Sequence, residues 1–158
     1  MSKVSWGMAP GVILVVAVLS VVIGLGGFTF YHAKGFSYLS DAPSTCVNCH
    51  IMRPQFESWN HSSHRNWATC NDCHLPKAFV NKWFTKAYSG LNHAVKFTTG
   101  DFTEPIVISG RNKRIALENC VDCHRAVLDT ILINAKPHLP KDLDCTACHG
   151  NVGHQGMK

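Results

Sequence analysis

All eight cysteines of this 158-residue chain fall into four pairs, and a histidine follows each pair directly: CVNCH (46–50), CNDCH (70–74), CVDCH (120–124) and CTACH (145–149). Cys-x-x-Cys-His is the attachment pattern of c-type heme. Two thioether bonds to the vinyl groups fix one porphyrin edge, and the adjacent histidine then reaches the iron from one face. Paired cysteines also build zinc ribbons, thioredoxin-like redox centres and disulfide frameworks. None of those chemistries needs a histidine after every pair. The pattern therefore implies four covalent hemes c, held by Cys46 and Cys49, Cys70 and Cys73, Cys120 and Cys123, and Cys145 and Cys148.

Four irons accept up to eight axial ligands. His50, His74, His124 and His149 belong to the motifs, and six of the ten histidines remain: His32, His61, His64, His93, His138 and His154. The first motif runs on as CVNCHIM, so Met52 is a second candidate ligand beside His50, and the residues alone leave that choice open. His61 and His64 stand three apart in WNHSSH, so both do not easily serve one iron. His154 lies too close to His149 to swing over that heme and is expected to serve a neighbouring one. His64 and His154 are the favoured distal ligands; His138 stands open between ligand and ordinary structural histidine.

A second chemistry is suggested by residues 77–97, KAFVNKWFTKAYSGLNHAVKF, whose apolar positions recur with a helical period across Gly90. Lys82, Lys86, His93 and Lys96 line the remaining surface, and Trp83 and Phe84 suit a membrane–water interface. An amphipathic helix lying on a bilayer with snorkelling lysines accounts for the pattern. Quinol oxidation accounts for it too, because that reaction needs an apolar slot and titratable groups to handle two protons. Lys86 and His93, two turns apart on one face, are the residues that would carry it.

These groups must be positioned by few elements. Residues 9–31, APGVILVVAVLSVVIGLGGFTFY, carry no charge and are long enough to cross the hydrocarbon core once. The run exceeds the apolar core of a cleaved signal peptide and lacks a convincing cleavage box, so it reads as an uncleaved anchor. Because heme c is attached outside the cytoplasm, residues 1–8 are expected inside and residues 32–158 on the periplasmic side of a bacterial inner membrane. So small a domain around four hemes has little ordinary core. The expected fold is a single transmembrane helix plus a small multiheme cytochrome domain, mostly α with sparse regular structure. The formal net charge of +5 comes without a basic run, which argues against nucleic acid as a partner. The chain shows no second domain that would make it a sensor.

One anchor followed by four attachment motifs, with CVNCHIM first, resembles the NapC/NirT family of membrane tetraheme quinol dehydrogenases. SYLS (37–40), WNHSSH (59–64), CNDCHLP (70–76) and SGLNH (89–93) carry the resemblance along most of the chain. It implies Met52 as the protein ligand of the first heme, with His50 displaced, and His64 and His154 as distal ligands. Lys86 matches the lysine of the family's quinol pocket. The position guarding the first heme is an aspartate in some relatives and His93 here, as proton acceptor or as iron ligand. The resemblance further implies that the second heme takes a ligand from a partner subunit. The short chain points to a menaquinol-oxidising subunit that feeds a pentaheme cytochrome c nitrite reductase in a hetero-oligomer.

Overall fold

The computed structural model describes residues 9–131 and 144–154, and among these the regular structure is helical, with no strand. The chain divides into two compact units, Met1–Leu39 and Ser40–Lys158. In the first, α1 spans Pro10–His32, with proline at its start, where the missing N–H costs nothing. Its 23 residues reach about 35 Å, enough to span a bilayer, and none is buried within the protein. The chain then turns through a 3₁₀ segment, Gly35–Leu39, whose Phe36 meets Phe30 edge-on at 5.0 Å. Gly35 lies so close to the Phe30 ring that a β-carbon there would collide with it. His32 packs against Phe28 and Tyr31, an interfacial setting at the end of the span.

The second unit holds α2 (Pro43–Cys46), a 3₁₀ turn (His50–Met52), α3 (Arg53–Asn60), α4 (Cys70–His74), α5 (Phe79–Thr99), α6 (Gly110–Cys123), α7 (Arg125–Ile131) and α8 (Cys145–Cys148). Local signals start most of these. Pro43 opens α2. Thr69 and Asp72 close a reciprocal capping box on α4. Ser109 and Asp144 accept backbone N–H groups at the starts of α6 and α8. Helix α5 runs unbroken through Gly90 and stops at Gly100, whose φ of 71° lets the chain leave the helix. Apart from α1, α5 and α6, the α-helices are of eight residues or fewer.

Among the described residues the buried apolar side chains are Leu75 and Ile115 alone. They lie where α4 packs on α6, and a buried asparagine locks that contact. Asn119 Nδ2 donates to the carbonyls of Cys73 at 3.0 Å and Leu75 at 2.9 Å. Asn119→Ala strands two carbonyls in the most enclosed part of the unit. The expected cost is about 2 kcal/mol of stability, read as a lowered thermal midpoint beside an unchanged far-ultraviolet spectrum.

Candidate heme ligands and quinol site

Each cysteine pair sits on or at the end of a helix. Cys46 closes α2, with Cys49 in the turn after it; Cys70 and Cys73 lie in α4, Cys120 and Cys123 end α6, and Cys145 and Cys148 bound α8. An i, i+3 separation on a helix puts two side chains on one face, as thioether attachment to one porphyrin edge requires. None of the eight is in a disulfide. Successive pairs are neighbours in chain order: Cys46 lies beside Cys70, Cys73 lies within electrostatic reach of Cys120 and Cys123, and Cys120 of Cys145. Burial pushes the Cys73 and Cys120 thiols up, and those neighbours push further in the same direction.

The histidines give the sharpest test of whether heme iron fits. A metal–imidazole nitrogen distance of about 2 Å puts the centres of two imidazoles on opposite sides of one metal about 6 Å apart. The rings of His74 and His154 are 6.0 Å apart, and those of His64 and His124 are 6.1 Å apart. His154 Nδ1 lies 3.1 Å from the Gln55 carbonyl oxygen in α3, a contact in which it donates, so Nε2 is the nitrogen left to bind a metal. Burial, with His154 nearby, lowers the pKa of His74, favouring the neutral imidazole that binds a metal. The nearly absent apolar core agrees with these distances, since a unit this size needs more buried surface than Leu75 and Ile115 supply. The residues present fit c-type heme.

His154 stands opposite His74, in the motif for which the resemblance implies a ligand from a partner subunit. The 79 residues between them hid that contact from the sequence. His61 is exposed, with Nδ1 2.7 Å from the Glu57 carbonyl oxygen of its own helix. Met52 starts α3, half-buried, immediately after the 3₁₀ turn that begins at His50. His149 caps α8 and is exposed. His138 lies outside the described residues.

Helix α5 brings the proposed quinol residues to one side. Lys86 was expected on the polar surface of the helix, but its side chain is only 8% exposed. Its ammonium donates to the Asp41 carboxylate at 2.8 Å and to the Ser40 carbonyl at 3.0 Å, and lies 5.0 Å from the Trp83 ring centre. Lys86 also acts electrostatically on Cys46, so it stands beside the first attachment motif. His93 follows on the same face, about 10 Å further along the helix, and remains exposed. Apolar surroundings still lower its pKa, leaving a neutral ring at neutral pH that can take a proton. On the opposite side Val80, Phe84, Tyr88, Leu91 and Val95 form an exposed apolar stripe, with Arg111 lying 4.5 Å from the Tyr88 ring centre.

Sequence reasoning missed Asp41. It is one of two carboxylates between the anchor and the second motif, the other being Glu57, and in so uncharged a segment that scarcity was the available signal. A second missed carboxylate, Asp144, caps α8 through Thr146 and receives Lys113 of α6 at 2.6 Å. Lys113 and Thr146 lower its pKa from 3.8 to about 2. A depressed carboxylate stabilises the fold above its unfolded pKa and loses that contribution as pH falls, here between about 4 and 2. The thermal midpoints of wild type and Asp144→Asn should therefore differ at pH 7 and converge by pH 2; a gap that persists at pH 2 would overturn the assignment.

Residues 6–117 match the NapC/NirT cytochrome c family, N-terminal region. Cytochrome c-type protein NrfH of Wolinella succinogenes is 39% identical over 145 residues, covering 87% of this chain and 82% of that protein. Cytochrome c-type protein NapC of Escherichia coli is 26% identical, covering 94% and 83%. A solved chain from the cytochrome c nitrite reductase NrfHA complex bound to the HQNO inhibitor superposes with a TM-score of 0.62. It is 31% identical and covers 93% of this chain and 92% of that one. With its α1 span, its paired cysteines and these matches, this single-pass membrane protein belongs to the NapC/NirT cytochrome c family.

Proposed function

We propose that this chain is a membrane-anchored tetraheme cytochrome c that oxidises menaquinol and delivers the electrons to a periplasmic pentaheme cytochrome c nitrite reductase. The observation that carries the reading is Lys86, a buried ammonium beside the first attachment motif on a helix whose other side is an exposed apolar stripe. A similar chain of known structure assembles with a nitrite reductase, and the likeness extends over nearly the whole of both chains. Residues 1–8 are cytoplasmic on this reading, α1 is the anchor, and residues 32–158 are periplasmic.

Heme c, when bound, supplies one-electron redox chemistry. The chain's own residues supply the rest. Met52 would be the ligand from the CVNCHIM segment. His74 and His154 would hold one heme, His124 and His64 another, and His149 would serve the last motif. Quinol oxidation releases two protons with its two electrons. Lys86 donates a hydrogen bond to the quinol oxygen and stabilises the negative charge that develops as the first proton leaves. His93, neutral and on the same face, accepts one proton through water, and the other passes to solvent. The apolar stripe on α5 lies against the bilayer surface, from which a quinol enters.

The test is reduction of the purified protein by menadiol with no partner present. Rapid reduction is expected, together with co-purification of a pentaheme nitrite reductase from cells. Failure of menadiol to reduce the chain would make it an electron relay fed by a separate quinol enzyme. Co-purification with a different periplasmic reductase would place it beside its NapC-type relatives.

A further inference from the structure

The Lys86 ammonium does not stand alone. It belongs to a four-residue cluster drawn from three parts of the chain, and Asp41 is at its centre. One carboxylate oxygen accepts from Lys86 at 2.8 Å and from Asn71 Nδ2 at 2.6 Å; the other accepts from Lys82 at 2.5 Å. The neighbouring Ser40 carbonyl accepts from Lys86 at 3.0 Å and from Asn71 at 3.4 Å. Asn71 is the residue after Cys70 in the second motif, and Asp41 lies five residues before Cys46 of the first. The Ser40–Asp41 corner thus ties α5 to both motifs. Exposure rises outward across the cluster: the Lys86 side chain is 8% exposed, Lys82 28% and Asp41 50%.

We propose that Asp41 is the positioning residue of the quinol site, fixing the direction and the charge of the Lys86 ammonium and dividing its own charge between Lys86 and Lys82. The inference rests on the reading of Lys86 as the quinol-binding cation. An ammonium has three N–H donors. Two of them go to Asp41 and Ser40, which aims the third outward to a quinol oxygen. The carboxylate also pairs a cation held in a nearly closed setting.

The charged and titratable groups facing Asp41 are Lys82 and Lys86 from α5, with the neutral Asn71 amide from α4. Cys46 lies within electrostatic reach of Lys86, and thioether attachment leaves it no proton to exchange. The two lysines hold the Asp41 carboxyl well below the usual carboxylate range, so it is ionised at any pH where the protein works. Asp41 is then a fixed negative charge shared between Lys86 and Lys82.

The experiment uses the full-length holoprotein in detergent and follows menadiol oxidation at about pH 7, with HQNO affinity titrated on the oxidised protein as a readout independent of turnover. Asp41→Asn keeps the shape and removes the charge. Its kcat/KM for menadiol should fall about tenfold, and HQNO should bind about tenfold more weakly. Asp41→Glu should return both toward wild type. Lys82→Met removes the cation that competes for Asp41, so HQNO should bind more tightly.

Opposite shifts from two neighbouring substitutions are what a merely bracing role does not produce. Unchanged HQNO affinity in Asp41→Asn, or shifts of the same sign in both variants, would overturn the proposal. If Asp41→Asn does not assemble, Lys82→Met decides alone, and unmoved or weakened HQNO binding overturns it. Lys86→Leu separates the two levels. Wild-type turnover and HQNO binding in Lys86→Leu would remove Lys86 from the site and the inference with it. Loss in Lys86→Leu beside a wild-type Asp41→Asn overturns the role of Asp41 alone.

Discussion

Lys86→Leu should lower the rate of menadiol oxidation by about 100-fold while leaving covalent heme content and fold intact. The size follows from what leucine cannot do in that position. It offers no donor to the quinol oxygen and no positive charge against the anion that forms as the proton departs. The fold is spared because the partners of Lys86 keep other contacts. Asp41 retains Lys82 and Asn71, and the Ser40 carbonyl retains Asn71. Leucine also suits a position only 8% exposed beside Trp83. His93→Ala should cost less, about tenfold, because water can replace an exposed proton acceptor. Lys96→Leu is the control: its ion pair with Asp101 is a surface contact of 3.6 Å, and turnover should not change. Stopped-flow reduction, with heme content measured as the pyridine haemochrome, checks all three. Wild-type rates in both Lys86→Leu and His93→Ala would remove α5 from the quinol site.

The elements that depend on local rules were legible in the sequence, and the contacts that depend on distance were not. The 23-residue uncharged run reads directly as α1 to within a residue at each end, because a bilayer-length apolar helix needs no partner to be recognised. The attachment motifs are read from spacing alone, and α5 from its period. Periodicity, however, cannot say which side of a helix faces inward when both sides carry useful groups. Lys86 looks like a snorkelling surface lysine until Asp41, 45 residues earlier, is seen beneath it. Asn119 gave no signal because its partners are backbone carbonyls, which any residue type provides. The histidine pairs were half legible. Ligand counting favoured His64 and His154 among six candidates, and both rings stand near a motif histidine, but which one each meets is a property of how α3, α4 and α6 come together.

That last distinction gives the second large effect. In His154→Ala one iron per chain should change from low to high spin, seen as a new high-spin resonance in the electron paramagnetic spectrum and a weakened Soret band. The argument is geometric. His74 and His154 face each other at 6.0 Å, and the Gln55 carbonyl holds the His154 tautomer, so removing the imidazole opens one side of a single metal position. Gln55 and His74 lie on different helices, so the same substitution unties α3 from α4, and a lower thermal midpoint should accompany the spectral change. Added imidazole should restore the low-spin spectrum without restoring the midpoint, since a free ligand fills the metal position but does not bridge the helices. His61→Ala should leave every iron as it was, because that exposed ring contacts the Glu57 carbonyl of its own helix instead of another imidazole. A fully low-spin His154→Ala protein would remove His154 from the ligand set. The iron opposite His74 would then have to draw its second ligand from a partner subunit, and the spin state of that iron would change on assembly with the reductase.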